Sequence, residues 1–264
     1  MMVNTCRVFL VLMFCFLFSK EGNAWGMQGH RIVGEIANSY LTKNAKKEIQ
    51  KILVDESLAM ASNWPDFIKS DTNYKYLNAW HYVDVEQNLS FVVMQDSLKK
   101  DTASNAFNKI YFLVSQLRDK SLPQNEKVKY LRLLIHIVGD IHQPLHVSRK
   151  GDRGGNDIKV SWFGEQSNLH KIWDEGLIEY QRLSFTEYVN AINFSSEQQR
   201  MELQKQSIEQ WFFESYEISE QIHNDAKPNE KLGYNYNFKY VNTLNSQLLK
   251  GGIRLAGLLN DIFQ

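Results

Sequence analysis

The stretch YLRLLIHIVGDIH, residues 130–142, decides the fold class. It reads as the body of a long apolar helix that opens near Asn125. Gln143-Pro144 ends it, because proline lacks an N–H and restricts the residue before it. Set into this apolar run are His136 and Asp140, four residues apart and therefore on one helix face. An unpaired carboxylate buried in LLIHIVGD would be costly, so the helix predicts a partner for Asp140.

The same helical periodicity extends outward in both directions. Residues 28–41 place Ile32, Val33, Ile36, Ala37, Tyr40 and Leu41 at helical spacing. Thr42 is positioned to cap a second helix through Leu53, and Ser57 a third through about Lys69. Residues 104–120, 195–222 and 240–262 supply further helices, and Asn168 caps one that contains His170 and Asp174. Only residues 151–165, with paired glycines followed by DIKVSWFG, read as a small β-hairpin, and 223–239 reads as loop. The expectation is an all-α fold: one compact multi-helix domain with a single small hairpin.

Residues 1–24 read as a secretory signal peptide. Arg7 gives the basic start, Val8 to Phe18 the apolar stretch, and Gly22-Asn23-Ala24 a cleavage site. The apolar stretch is too short to span a bilayer, and no other segment is long enough, so no membrane anchor is expected. Cleavage after Ala24 leaves a domain of residues 25–264, secreted or periplasmic, that starts with the free α-amino group of Trp25. Both cysteines, Cys6 and Cys15, leave with the leader, so the mature chain has no disulfide. Its 28 basic and 29 acidic side chains balance. That excludes the basic footprint with which ordinary nucleic-acid binders neutralise phosphate. A polyanionic substrate would need positive charge from bound metal.

The candidate metal ligands follow from spacing. His170-x-x-x-Asp174 repeats the His136-x-x-x-Asp140 arrangement on a second helix, and His146 can fold back across the Pro144 break. His81 lies in WHYVD, Asp66 in WPDFIK, and His30 lies five residues after Trp25, whose amine and carbonyl can chelate. His142 points away from Asp140 around the helix and reads as a packing or supporting residue. His223, in a loop-like stretch, reads as exposed. Imidazoles, carboxylates and an amine without thiolates favour hydrolytic zinc over structural zinc, with manganese or iron also compatible.

WGMQGHRIVGEIA, NWPDFIK, WHYVDV, HIVGDIHQPLHV, GGND and NLHKIWD, in this order, make the chain resemble the secreted S1/P1 nucleases of the phospholipase C/nuclease superfamily. The resemblance runs from Trp25 to LLKGGIRLAGLLN at 248–260. It implies three Zn2+ ions. Asp66, His81 and His136 would hold the first, with Asp140 shared; Trp25, His30 and Asp140 the second; His146, His170 and Asp174 the third. It assigns catalytic roles to Asp66, Lys69 and Asn156, and a nucleoside pocket to Tyr82, Asp84 and the backbone at Gly154. Read without it, Lys69 is a solvated helix-end lysine, Asn156 a turn residue, and Tyr82 either a stacking ring or core. The implied activity is endonucleolytic hydrolysis of single-stranded DNA and RNA to 5′-phosphate products, with 3′-nucleotidase activity, by a monomer without an evident protein partner. The main departure is the missing disulfides of many members. Two other readings stay open: a zinc phospholipase C, and a non-catalytic zinc-binding protein.

Overall fold

A computed structural model describes residues 25–264; residues 1–24, read above as a signal peptide, lie outside the described residues. The helices are α1 (Met27–Ser39), α2 (Lys43–Leu53), α3 (Leu58–Ala61), α4 (Trp64–Phe67), α5 (Phe91–Lys100), α6 (Ala106–Arg118) and α7 (Gln124–Asp140). They continue as α8 (Leu169–Lys171), α9 (Leu177–Tyr180), α10 (Phe185–Ile192), α11 (Glu197–Lys205), α12 (Ile208–Asp225) and α13 (Tyr234–Ile262). The strands β1 (Val83–Val85), β2 (Val147–Arg149), β3 (Lys159–Trp162), β4 (Glu165–Asn168) and β5 (Lys231–Leu232) are short. The fold is mostly helical, as expected, and among the described residues no helix is long and apolar enough to cross a membrane.

Capping chemistry sets most boundaries. Thr42 accepts from the Ala45 N–H and Ser57 from the Met60 N–H, while Asn168 accepts from Lys171. The single helix expected over 195–222 is two. Ser196 with Gln199, and Ser207 with Gln210, form reciprocal capping boxes that start α11 and then restart the chain as α12. The helix expected from Ser57 to Lys69 is likewise broken. Pro65 enters at the first turn of α4, and two 3-10 segments follow, Ile68–Ser70 and Thr72–Trp80. The stretch 223–239 is mostly helical, since α12 runs to Asp225 and α13 begins at Tyr234.

Residues Leu133 to Asp140 of α7 are all buried, so this helix is the spine of the core. Helix α13 lies against α1 across Gly252. A Cβ there would come within 2.4 Å of Ile36 Cγ2, so only glycine permits this approach. Besides the expected hairpin β3–β4, which β5 extends in parallel, β1 pairs in parallel with β2, with Val83 opposite Val147. This pairing was not anticipated. It sets the chain that leaves His81 beside the chain that leaves His146.

Candidate metal centre

Helix α7 ends by delivering His136 and Asp140 into the middle of the molecule, both with no exposed surface. Around Asp140 the fold assembles side chains from distant segments. His30 of α1 places Nε2 at 3.3 Å from Oδ1; His81, just after the 3-10 segment, places Nδ1 at 2.9 Å from Oδ2; His136 Nε2 is 3.3 Å from Oδ2. Asp66, turned inward by the Pro65 break, has Oδ1 at 3.8 Å from His136 Nε2. The rings of His30 and His136 stack at 3.8 Å between centroids. That contact depends on Gly139, where a Cβ would lie 2.8 Å from His30 Nδ1.

A second focus forms where His146 and His170 stack at 5.0 Å over Asp174. His170 Nε2 lies 3.2 Å from Asp174 Oδ2, and His146 Nε2 lies 3.7 Å from Asp174 Oδ1. His170 and Asp174 are four apart as expected, but the helix between α8 and α9 is wound as a π segment over Ile172–Gly176. Such segments recur at functional sites because they redirect side chains. Asp174 is fixed by Gln143, whose Nε2 donates to Oδ1 at 2.6 Å while its Oε1 accepts from the Leu145 N–H.

Hydrogen bonds fix the tautomers of three rings. His136 Nδ1 donates to Ser62 O at 2.6 Å, His146 Nδ1 to His81 O at 2.8 Å, and His170 Nδ1 to Gly154 O at 2.8 Å. Each ring then presents an Nε2 lone pair to the cluster, the arrangement that metal-ligating histidines adopt. Burial holds His30 and His81 well below the ordinary histidine range, and His136 at about 4. Burial, with Asp66 adding repulsion, pushes Asp140 well above the usual carboxylate range. Burial also opposes ionisation of Asp174, but His170 and His146 outweigh it and hold the carboxyl at about 2.

The result is a cluster of buried imidazole nitrogens and carboxyl oxygens that face one another. His30 Nδ1 and Nε2, Asp140 Oδ1, His146 Nε2 and Asp174 Oδ2 are buried and lack hydrogen-bond partners. Orphaned acceptors on this scale destabilise a fold unless a cation satisfies them. Three groups can hold a metal ion: His30, Asp66 and His136; His81, His136 and Asp140; His146, His170 and Asp174. The donor set of imidazoles and carboxylates fits a divalent transition metal.

Two comparisons with known proteins bear on the chain as a whole. The family model for S1/P1 nuclease matches residues 25–264. The chain belongs to the S1/P1 nuclease family. Among curated relatives, endonuclease 4 of Arabidopsis thaliana is 31% identical over 90% of this chain and 89% of its own length. Nuclease S1 of Aspergillus oryzae is 31% identical over 59% of this chain and 55% of its own length. Nuclease P1 of Penicillium citrinum is 32% identical over 57% of each. As an S1/P1 nuclease the protein is a hydrolase.

The other expected residues of this S1/P1 nuclease fall as follows. Lys69 Nζ lies 2.5 Å from Asp66 Oδ1, and its charge is felt by His30, His81, His136 and His170, so it faces the cluster rather than solvent alone. Trp25 is fully buried, and the next residue, Gly26, donates its N–H to Asp174 O at 2.8 Å, which seats the start of the domain on the π segment. Tyr82 is 45% exposed, which removes it from the core. Asp84 projects from the outward face of β1, and burial followed by repulsion from Asp152 raises its carboxyl. Gly154 is buried at φ +62°, close to Leu145 O and His170. Asn156 donates Nδ2 to Arg153 O at 2.9 Å, within its own turn.

His142 is not in the cluster. Its Nδ1 donates to Val138 O at 2.7 Å and its Nε2 accepts from Arg254 at 2.9 Å, in agreement with a supporting role. His223 corrects the expectation of an exposed loop residue: it is buried on α12 with Nε2 at 2.9 Å from Asp152. Gln143 and Gly139 were missed. Their signals, a polar residue at a helix stop and a glycine beside a candidate ligand, acquire meaning only once Asp174 and His30 are seen to lie there.

Proposed function

We propose that the protein is a secreted, zinc-dependent endonuclease that cleaves single-stranded DNA and RNA to 5′-phosphate products and has 3′-nucleotidase activity. The observation that carries this is the convergence of buried, unpartnered imidazole and carboxylate lone pairs beside the ammonium of Lys69, in a chain of the S1/P1 nuclease family. Three zinc ions would be held: one by Asp66, His81, His136 and Asp140, one by the Trp25 amine and carbonyl with His30 and Asp140, and one by His146, His170 and Asp174. Zinc, when bound, supplies concentrated positive charge for a phosphodiester anion and acidifies water at neutral pH.

The protein's own residues do the rest. The carboxylate of Asp66 orients the attacking water and accepts its proton. Lys69, paired with that carboxylate, donates to the non-bridging phosphate oxygens, where charge persists in the transition state. Asn156 supplies a second donor by releasing its bond to Arg153 O. The exposed ring of Tyr82 stacks on a base, which is tolerant of sequence. Asp84, with its raised carboxyl, and the Gly154 backbone offer polar partners to that nucleoside. The ligands lie deep in the molecule, so a strand must bend inward and splay its bases to bring phosphate to them. A duplex cannot do this.

The domain of this function is residues 25–264, with residues 1–24 as the cleaved leader that exposes the Trp25 amine. The test uses protein beginning at Trp25 and loaded with zinc, offered single-stranded DNA, single-stranded RNA, duplex DNA and short-chain phosphatidylcholine, each with and without chelator. Chelator-sensitive cleavage of the single strands alone supports the reading. Lipid hydrolysis without nucleic-acid cleavage moves the chain to a phospholipase, and zinc uptake without turnover refutes an enzymatic role.

A further inference from the structure

His223 takes no part in the chemistry above, yet it is buried and its surroundings constrain it tightly. Its Nδ1 lies 2.7 Å from Ser219 O, one turn back along α12, and its Nε2 lies 2.9 Å from Asp152 Oδ2. A carbonyl and a carboxylate both accept and neither donates. The ring therefore stands between two acceptors, one on its own helix and one on the loop between β2 and β3.

Asp152 is the knot of the loop between β2 and β3. Its Oδ1 accepts the Gly155 N–H at 2.9 Å, and its Oδ2 pairs with Arg149 Nε at 3.2 Å as well as with His223. Arg153, Gly154 and Gly155 then follow at φ of 52°, 62° and 82°. Three successive left-handed residues, one with a side chain, persist only where surrounding contacts enforce them. The loop's product is the Gly154 carbonyl, which receives the His170 Nδ1–H and so directs His170 Nε2 at Asp174. Gly155 O also accepts the His170 backbone N–H at 3.4 Å.

We propose that the His223–Asp152 contact is a positioning device: α12 clamps the left-handed loop, and the loop sets the tautomer and aim of His170, and with them the metal affinity of the His146, His170 and Asp174 group. The clause on affinity rests on the reading of that group as a zinc site. His223 is then a positioning residue that acts on the metal through two intervening links, Asp152 and the Gly154 carbonyl.

The test uses the whole domain, stripped of metal and titrated with zinc against a chromophoric chelator, as wild type, His223→Gln, Asp152→Asn and the double variant. Loss of a metal ligand's outer partner weakens binding by about 10–100-fold. Each single variant should therefore weaken one zinc equivalent by about 10-fold and leave the others unchanged. The double variant should be no weaker than the worse single one, and His223→Gln should add nothing in a His170→Ala background. Imidazole nitrogen NMR on the metal-free proteins gives an independent readout. His170 should hold its proton on Nδ1 in wild type and lose that preference in His223→Gln. An unchanged His170 tautomer, or equal weakening of every zinc equivalent, overturns the proposal. A tautomer change in a protein whose wild type takes up no zinc at this group retains the clamp and removes only the metal reading.

Discussion

Replacing Asp140 with asparagine should stabilise the metal-free protein and destabilise the zinc-loaded one. In the metal-free state this carboxyl group has no exposed surface, its Oδ1 has no hydrogen-bond partner, and burial disfavours the charged forms of the facing histidines at 2.9–3.3 Å. An amide has no charge to bury and offers the facing nitrogens two N–H donors, relieving a penalty of about 1–3 kcal/mol for an unsatisfied buried group. With zinc the sign reverses. A site at about 1,000-fold its dissociation constant stabilises the fold by about 4 kcal/mol. For a domain of this size that is roughly 8–16 °C in Tm per site. Asp140 is the ligand shared by two of the proposed sites, so the variant should keep only the increment from the His146, His170 and Asp174 group. The assay is calorimetry of both proteins, with chelator and at graded free zinc, beside zinc stoichiometry. An Asp140 that served only the fold would lose about 3–5 kcal/mol in both states, as broken buried charge networks do. Equal destabilisation with and without zinc would therefore refute the reasoning.

Four further outcomes are expected. Lys69→Met should lower kcat on single-stranded DNA by about 10²–10³-fold, the usual loss for a transition-state donor, with zinc content unchanged. Tyr82→Ala should raise KM for oligonucleotides without altering zinc uptake, by the roughly 1–3 kcal/mol that base stacking contributes; an unchanged KM places the base elsewhere. A protein that retains Ala24 should bind one zinc fewer and lose most activity, because the Trp25 nitrogen is then an amide; full metal loading would remove Trp25 from the ligand set. Asp152 has a folded-state carboxyl at about 2, depressed below its unfolded value. Its contribution is therefore complete above about pH 4 and disappears as pH falls towards 2. After discounting for solvent screening it amounts to roughly 1–2 kcal/mol. Acid denaturation of Asp152→Asn should show correspondingly less loss over that window.

Much of the candidate site was legible along the chain because its chemistry is local. His136 with Asp140, and His170 with Asp174, share helix faces by spacing alone, and the apolar helices around them follow from period and caps. The nine expected metal-ligand positions also carry the family motifs in order, so the resemblance and the residue chemistry point the same way. What spacing could not show was which lone pair each ring presents. That depends on Ser62 O, His81 O and Gly154 O, carbonyls brought in from other segments. The three-residue strands β1 and β2 left no alternating pattern to read, yet their pairing brings His146 to the His81 carbonyl.

The errors have the same origin. Ser207-x-x-Gln210 is a local capping signal inside a periodic stretch, and it could have been read as the break between α11 and α12. His223 could not have been read. Its burial and its contact with Asp152, 71 positions earlier in the chain, depend on packing and on a loop whose left-handed turn only tertiary contacts enforce. The sequence by itself determined the helical class, the caps and the supply of ligands, because these rest on interactions within about four residues. The tertiary structure decided protonation, tautomer and aim, because those depend on burial and on acceptors that meet only when distant segments pack.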